Sequence, residues 1–224
     1  MAAKDTVRRY TMFLTGVLIC ATGIAFITRA GLGTSPISSI PFVLSLITPP
    51  NLTMGMFTFA FNMLFLVCEA LLRRRFTWLQ ALQIPATLLF SFCIDRAMDI
   101  IPTQYGHAYH MSALYLVVGC LVMALGISLE VMADVIMLPG EAFVRALSQK
   151  LQKEFGNVKV CFDSSLTLIA AVIALFAFHK LNGVREGTLV SALAVGQIVK
   201  FYTRHLGGLK ALWLGQEKPQ PESC

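Results

Sequence analysis

Residues 16–45 read GVLICATGIAFITRAGLGTSPISSIPFVLS, and this stretch decides how the chain folds. Its first half is apolar, and about 20 such residues cross the roughly 30 Å hydrocarbon core of a bilayer as a helix. The glycines and the proline of GLGTSP then interrupt that helix. The apolar residues 36–48 follow, and as a helix they reach only about 20 Å. The stretch predicts a membrane span, a break and a piece too short to span.

The composition is that of a membrane protein. Of the 224 residues, 56% are hydrophobic and 13% are charged, whereas soluble domains contain about 25% charged residues. The net charge of +6 comes from short Lys and Arg clusters between apolar runs, a pattern typical of topology signals. A nucleic-acid-binding protein would carry its positive charge along one face. We therefore predict the lipid bilayer as a partner and no nucleic acid.

Six apolar runs have about the length of a membrane span, and two are too short. The long runs cover residues 9–30, 53–72, 79–101, 111–133, 158–179 and 187–204, and the short runs cover residues 36–48 and 139–151. No run alternates with the two-residue period of a half-buried strand. The fold class predicted is all-α, a polytopic membrane helix bundle.

The order of long and short runs occurs twice, and so does part of the sequence. With an offset of 103 positions, nine residues within 16–45 match without a gap: Gly16/Gly119, Leu18/Leu121, Ala21/Ala124, Gly23/Gly126, Ile24/Ile127, Ala30/Ala133, Pro36/Pro139, Leu44/Leu147 and Ser45/Ser148. A fixed period of this kind indicates a duplicated unit. We predict two membrane repeats, 1–106 and 107–215, each with three long spans and one short helix, and a disordered tail over 216–224.

The basic residues predict the orientation of the repeats. If only the six long runs cross, then the N-terminus, the triplet that begins at Arg73 and the C-terminus all lie on the cytoplasmic side, as the positive-inside rule requires. Only the loop with Lys180 and Arg185 then lies on the outer side, against this rule. Three crossings per repeat insert the second copy upside down. Inverted repeats of this kind are the plan of many transporters.

Each short run follows a break of five residues, which we name the first breaker (residues 31–35) and the second breaker (residues 134–138). A breaker and its short helix together are long enough to enter the middle of the membrane and return. Two helix N-termini would then meet there and attract an anionic group, with Ser35 as a cap. The predicted pathway residues are Arg29, Gly31, Gly33, Thr34, Ser35, Pro36, Pro139 and Gly140. The alternative is that both short helices lie flat in the membrane interface.

Acidic residues in or near the apolar runs are candidates for carrying a coupling ion, because charges are costly in a membrane and are often functional there. Glu130 and Asp134 are four residues apart, so they are expected to share a helix face. In the alternative interpretation, such acids pair with Arg29, Arg96 or Lys200 and only fasten helices. The candidates are Glu130, Asp134, Asp163 and Asp95.

Other residues are expected to serve packing or the surface. Gly16 with Gly23 and Gly119 with Gly126 are seven positions apart, which predicts close helix contacts, and such faces also allow a homodimer. Glu69 is expected to pair with Arg73 at a span end. The cysteines within apolar runs are expected to be buried packing residues without a disulfide; they are Cys20, Cys68, Cys93, Cys120 and Cys161. We find no catalytic, metal-binding or cofactor motif, and predict that the chain is not an enzyme.

Three stretches resemble the bacterial YczE/YyaS-like family of small integral membrane proteins, which is distantly related to the YitT group. They are residues 16–45, MLPGEAF at 137–143 and REGTLVSALAVGQIVKF at 185–201. The resemblance implies a multi-pass protein of the bacterial inner membrane and does not specify a substrate.

From the sequence we therefore predict a small secondary transporter or facilitator for a small-molecule or ion substrate that carries, on the dipole argument, an anionic group. Two alternatives stay open. One is a passive channel of the same architecture, and the other is a membrane scaffold or regulator without transport activity.

Overall fold

The structure, a computed structural model, describes residues 3–103, 109–179 and 183–205. These residues form helices and no strand, which confirms the predicted all-α class. The elements are α1 (Ala3–Arg29), a 3₁₀ turn (Pro36–Ser38), α2 (Ser39–Ile47), α3 (Met54–Arg73), α4 (Trp78–Ile100), α5 (Tyr109–Ala133), α6 (Pro139–Leu151), α7 (Phe155–Phe178) and α8 (Glu186–His205). The predicted C-terminal tail lies outside the described residues.

Four of the long helices are long and apolar enough to cross a membrane, judged by length and composition: α1 (from Thr6), α3, α5 and α7. The other two long helices, α4 and α8, carry more polar residues, among them Gln83 and Asp95 in α4 and Lys200 in α8. Both pack along these apolar helices, α4 on α1 and α3, and α8 on α5. The chain is thus a polytopic membrane helix bundle, and the predicted count of six crossings stays a prediction.

Helices α1 and α5 form the centre of the bundle and run antiparallel. A Cβ added at Gly16 would lie 2.9 Å from the carbonyl oxygen of Gly126, and one at Gly119 would lie 3.0 Å from that of Gly23. Gly16 and Gly119 are repeat counterparts, and so are Gly23 and Gly126. The contact of Gly16 with Gly126 therefore recurs between their counterparts, Gly119 and Gly23, as a two-fold axis between the copies requires. Because α1 and α5 are also counterparts, the two copies have opposite orientations.

The remaining helices follow the same two-fold relation. Helix α4 packs on α1 as α8 packs on α5, and each short helix packs on the third element of the other repeat, α6 on α3 and α2 on α7. The relation fails at one place. Helices α3 and α4 pack along each other, whereas α7 and α8 make little contact within their described residues. The first repeat is thus the more tightly joined of the two.

The two short segments begin inside the bundle and end at opposite ends of it. A Cβ at Gly140 would overlap Cδ1 of Ile37, and these two residues are counterparts. From this contact, α6 runs to the end where α1 begins and α3 and α5 end, which we name the basic end. Helix α2 runs to the opposite end, where α1 and α4 end and α8 begins. Both segments are thus buried where they begin, and their entry into the membrane stays a prediction.

Residues 36–48 do not form one helix as predicted. They form the 3₁₀ turn and then α2, which begins at Ser39. The reason is Pro41, whose ring and missing N–H are tolerated only in the first turn of an α-helix. Pro36 opens the 3₁₀ turn and Pro139 opens α6, as expected. Ser35 precedes the turn, but its hydroxyl donates to Ser38 Oγ (3.0 Å) instead of capping a backbone N–H.

The cysteine prediction holds in part. Cys20 and Cys120 are buried, and Cys68 and Cys93 are half-buried. Cys161 is exposed on α7 and is therefore not the buried packing residue that we expected. Its apolar neighbours in sequence did not reveal which face of the helix it occupies, since α7 is apolar nearly all round.

The glycine contacts between α1 and α5 give a first prediction. In Gly23→Ala the new methyl overlaps the backbone of Met123, so we expect a loss of about 1–3 kcal/mol in the free energy of unfolding, as overpacking usually costs. The matched control is Gly196→Ala on α8, where a new Cβ meets nothing within 4 Å. This control should keep or raise stability, because alanine favours a helix by about 1 kcal/mol over glycine. Thermal unfolding in detergent measures both variants, and equal midpoints would contradict the packing described.

Candidate functional site

A polar cavity of about 660 Å³ opens at the basic end. Its walls are the end of α3, the start of α4, the end of α5, the second breaker and α6. A volume of this order is typical of sites for small molecules. The charged and amide side chains that line it are Glu69, Arg73, Gln80, Gln83, Glu130, Asp134, Arg145 and Gln149.

Four side chains of this cavity have a buried polar atom without a hydrogen-bond partner among the described residues: Glu69 Oε2, Gln80 Nε2, Gln83 Oε1 and Glu130 Oε1. The four residues are between 2% and 6% exposed. Each unpartnered buried polar group costs about 1–3 kcal/mol, and native structures contain only a few. Their concentration in one cavity indicates a binding site for a polar ligand.

Glu130 lies where α5 packs on α1. A Cβ added at Gly16 would come within 2.9 Å of Glu130 Cγ, so the glycine leaves the space that the acidic side chain occupies. The counterpart of Glu130 is Ile27, which packs in the same way against Gly119. The repeats therefore share this packing, and only the second repeat places a carboxyl group there.

Glu130 also borders a small void of about 40 Å³ in the centre of the bundle. This void lies where the two short segments meet, and its wall includes Ser38 of the 3₁₀ turn and Glu141 of α6. Most of its wall is apolar, and the rings of Phe65, Phe143 and Phe162 pack against one another beside it, with centroids 5.4–6.0 Å apart. The centre of the bundle beside the larger cavity thus holds only a small, mostly apolar void.

At the opposite end, the first breaker is bound to the start of α8. The Gly187 N–H donates to the Leu32 carbonyl (2.8 Å), and the Thr34 N–H donates to Thr188 Oγ1 (3.2 Å). Arg185 donates to the carbonyl of Gly31 at 3.1 Å. The predicted pathway residues of this breaker are thus buried, and two of them, Gly31 and Thr34, are bonded in this closed joint to residues at the start of α8. The other two are Gly33 and Ser35.

The corresponding joint at the basic end is open. There the start of α4 faces the second breaker, yet Gln80 and Ile136 are on the walls of the 660 Å³ cavity. The only predicted pathway residues of α6, Pro139 and Gly140, are buried at the central contact, where the Gly140 N–H donates to Asn62 Oδ1 (3.3 Å). One structural joint thus occurs twice, closed at one end and open at the other.

Arg29 and Asp95 both line a second cavity, of about 370 Å³, at the opposite end. Arg29 Nε donates to the Met98 carbonyl at 3.0 Å, and so joins the ends of α1 and α4. The Asp95 carboxylate accepts hydrogen bonds from Thr53 Oγ1 (2.6 Å) and the Gly55 N–H (2.7 Å), which caps α3 from outside the helix. Both of its oxygens are engaged, so the geometry supports a structural role for Asp95.

The other two acids predicted to carry an ion differ in position. Asp163 pairs with Lys159 (3.1 Å), which is four residues away on the same helix and is not one of the three basic partners expected. Asp134 is exposed and lines the cavity mouth, but it does not share a helix face with Glu130, because α5 ends at Ala133. Its backbone is left-handed (φ 49°), as is that of its counterpart Gly31 (φ 74°), so both repeats end the helix in the same way.

Several site residues were not predicted from the sequence. Glu69 was expected to pair with Arg73, and it does (2.8 Å), but it is also buried in the cavity wall. The amides Gln80 and Gln83 and the acid Glu141 were not among the predicted site residues. Amides within an apolar run are costly in a membrane, and this could have marked the two glutamines as candidates. Within the described residues no three His, Cys, Asp or Glu side chains are grouped so that they could hold a metal ion.

The cap on α3 gives a second prediction. Asp95→Ala removes two hydrogen bonds to a charged acceptor, and one such bond is worth about 1.5–3 kcal/mol. We expect the free energy of unfolding in detergent to fall by at least about that amount. Asp99→Ala is the control, because its side chain is 70% exposed and such surface changes stay within about 0.5 kcal/mol. If both variants unfold alike, Asp95 is not the cap.

The open and closed joints give a third prediction, for single cysteines in a background with the six native cysteines replaced. Met137→Cys lies on the cavity wall and should react readily with a water-soluble maleimide. Thr34→Cys lies at a site that is 0% exposed, and should react roughly tenfold or more slowly, since labelling then requires local opening. Mass spectrometry of timed samples measures both rates. Equal rates would contradict the difference between the joints.

Searches among curated proteins and among solved structures find no match for the chain. The resemblance to the YczE/YyaS-like group stays a prediction. A family model described as "Family of unknown function (DUF6198)" matches residues 7–204, which run from α1 to the last turn of α8. The chain therefore belongs to the DUF6198 family.

Proposed function

We propose that the protein is a small secondary transporter or facilitator that moves a small polar solute across the bacterial inner membrane by alternating access. One observation carries the proposal. The same joint, between the last helix of one repeat and the breaker of the other, is closed at the opposite end and open at the basic end. In transporters built from inverted repeats, exchange between two such arrangements exposes a central site to each side in turn.

The contacts of the closed joint support a gate that can open. It is fastened by a few hydrogen bonds: those of Thr34 with Thr188 and Ser191 (3.2 and 3.3 Å), the backbone bond from Gly187 and the bond from Arg185. Such bonds contribute only about 1 kcal/mol each, so a difference in solute binding of a few kcal/mol is enough to shift the equilibrium.

The distribution of basic residues supports cytoplasmic termini. The basic end contains the start of α1 with Arg9, the end of α3 with Arg73, and Lys150 at the end of α6. By the positive-inside rule this end faces the cytoplasm. The 660 Å³ cavity is then open to the cytoplasm.

Glu130 is the residue to which we assign ion coupling. It borders both the open cavity and the central void, and its Oε1 has no partner in the described chain. An acid at such a place can bind a proton or a cation together with the solute. The small, mostly apolar void beside it favours a gated pathway over a passive channel, which would need a continuous wide pore.

Uptake into proteoliposomes tests the proposal. We expect a panel of labelled amino alcohols, amino acids, carboxylates and polyols to include at least one solute whose uptake depends on an imposed proton or sodium gradient. Glu130→Gln should reduce this uptake roughly tenfold or more, a typical loss for a group that transfers protons. Glu154→Gln, a change to an exposed acid at the start of α7, is the matched control and should keep the wild-type rate.

The other outcomes identify the alternatives. Uptake that does not depend on the imposed gradient and that persists in Glu130→Gln would identify a passive channel. Lack of uptake for the whole panel, with a protein that is folded by gel filtration and thermal unfolding, would overturn transport and favour a scaffold or regulator.

A further inference from the structure

We propose that the cavity at the basic end binds a small organic cation with a primary ammonium group, and that the carboxylates of Glu130 and Glu69 receive this group. The inference deepens the proposed function, on which it rests only for the claim that the bound solute is also the transported one. The solute proposed here is positively charged, whereas the helix dipoles led to the expectation of an anionic group.

The depth of the charged groups carries the argument. Glu130 and Glu69 are 6% and 4% exposed, whereas Arg73 and Arg145 are exposed at the mouth. A solute that enters the cavity therefore meets guanidinium groups at the rim and carboxylates in the interior. Buried carboxylates with unpartnered oxygens are stabilised most by a charged donor, since charge-assisted hydrogen bonds are about twice as strong as neutral ones.

The amide of Gln80 adds a requirement for a hydrogen-bond acceptor on the same solute. Gln80 Oε1 accepts a hydrogen bond from the backbone N–H of Thr77 (2.8 Å) in the capping box of α4. This bond fixes which way the amide points, so that Nε2 is the atom left buried and unpartnered. A hydroxyl or carbonyl oxygen on the solute would satisfy it.

The centre of the bundle agrees with a cation. Glu130 and Glu141 both border the central void, and no Lys or Arg is among its described lining residues. The helix N-terminus that was expected to attract an anion is instead occupied, because the Gly140 N–H donates to Asn62. Of the two rim arginines, Arg73 is paired with Glu69 Oε1. An anion would find its positively charged donors only at the mouth, on Arg73 and Arg145.

Thermal unfolding of the full chain in lipid nanodiscs tests the inference with three two-carbon probes at equal ionic strength. Ethanolamine has an ammonium group and a hydroxyl, ethylene glycol is neutral, and glycolate has a carboxylate and a hydroxyl. A ligand that binds only the folded protein raises the unfolding temperature as its concentration increases. We expect a saturable rise with ethanolamine and none with ethylene glycol or glycolate.

Variants then locate the site. Glu130→Gln keeps the shape of the side chain and should weaken ethanolamine binding roughly tenfold or more, the effect of losing a charged acceptor. Glu154→Gln should bind as the wild type does. If Glu130→Gln fails to fold, Glu130→Asp keeps the charge and moves it by one methylene, and should weaken binding several-fold.

The outcomes separate this inference from transport. A shift with glycolate alone, equal shifts with all three probes, no shift at all, or an undiminished ethanolamine shift in a folded Glu130→Gln would each overturn the cation site. Ethanolamine binding without uptake of any solute would leave this site standing and overturn the transporter. Gradient-driven uptake of an anion, without an ethanolamine shift, would overturn the cation site and support the transporter.

Discussion

The close antiparallel contact of α1 with α5 is the constraint on which the rest of the bundle depends. At Gly16, Gly23, Gly119 and Gly126 the two backbones approach so closely that a methyl group would not fit. In a membrane, where lipid is as apolar as the side chains, such contacts are a main source of attraction between helices. Because α1 and α5 are repeat counterparts, their antiparallel contact also sets the two copies in opposite directions.

Opposite copies of one sequence pattern would give a symmetric protein, and the proposed function rests on two departures from that symmetry. One is chemical, since Ile27 in the first repeat corresponds to Glu130 in the second. The other is conformational, since the breaker of the first repeat is bonded to α8 while that of the second borders a cavity. The proposal of alternating access rests on this combination, an acid beside an open joint and a closed joint at the other end.

Much of the fold was predictable because it is local. The boundaries of the six long helices follow the apolar runs to within a few residues, except that α1 begins earlier, and the breaks follow glycine and proline. Some errors occurred where a neighbour in space decided the outcome. Asp95 caps α3 through Gly55, 40 residues away, and spacing along one helix cannot identify such a partner. The error at Ser35 is local, since its hydroxyl bonds to Ser38, three residues on, and does not cap the backbone.

The sequence by itself determined the helices, their lengths, the duplication and the presence of Glu130 at a place where its counterpart is apolar. These depend on hydropathy, on helix-breaking residues and on identity at a fixed offset, all of which are properties of short segments. Only the tertiary structure decided that Glu69, Gln80 and Glu130 face one cavity and that the first breaker is closed. Both depend on how α4 and α8 approach the breaker of the other repeat, which is a contact between segments far apart in sequence.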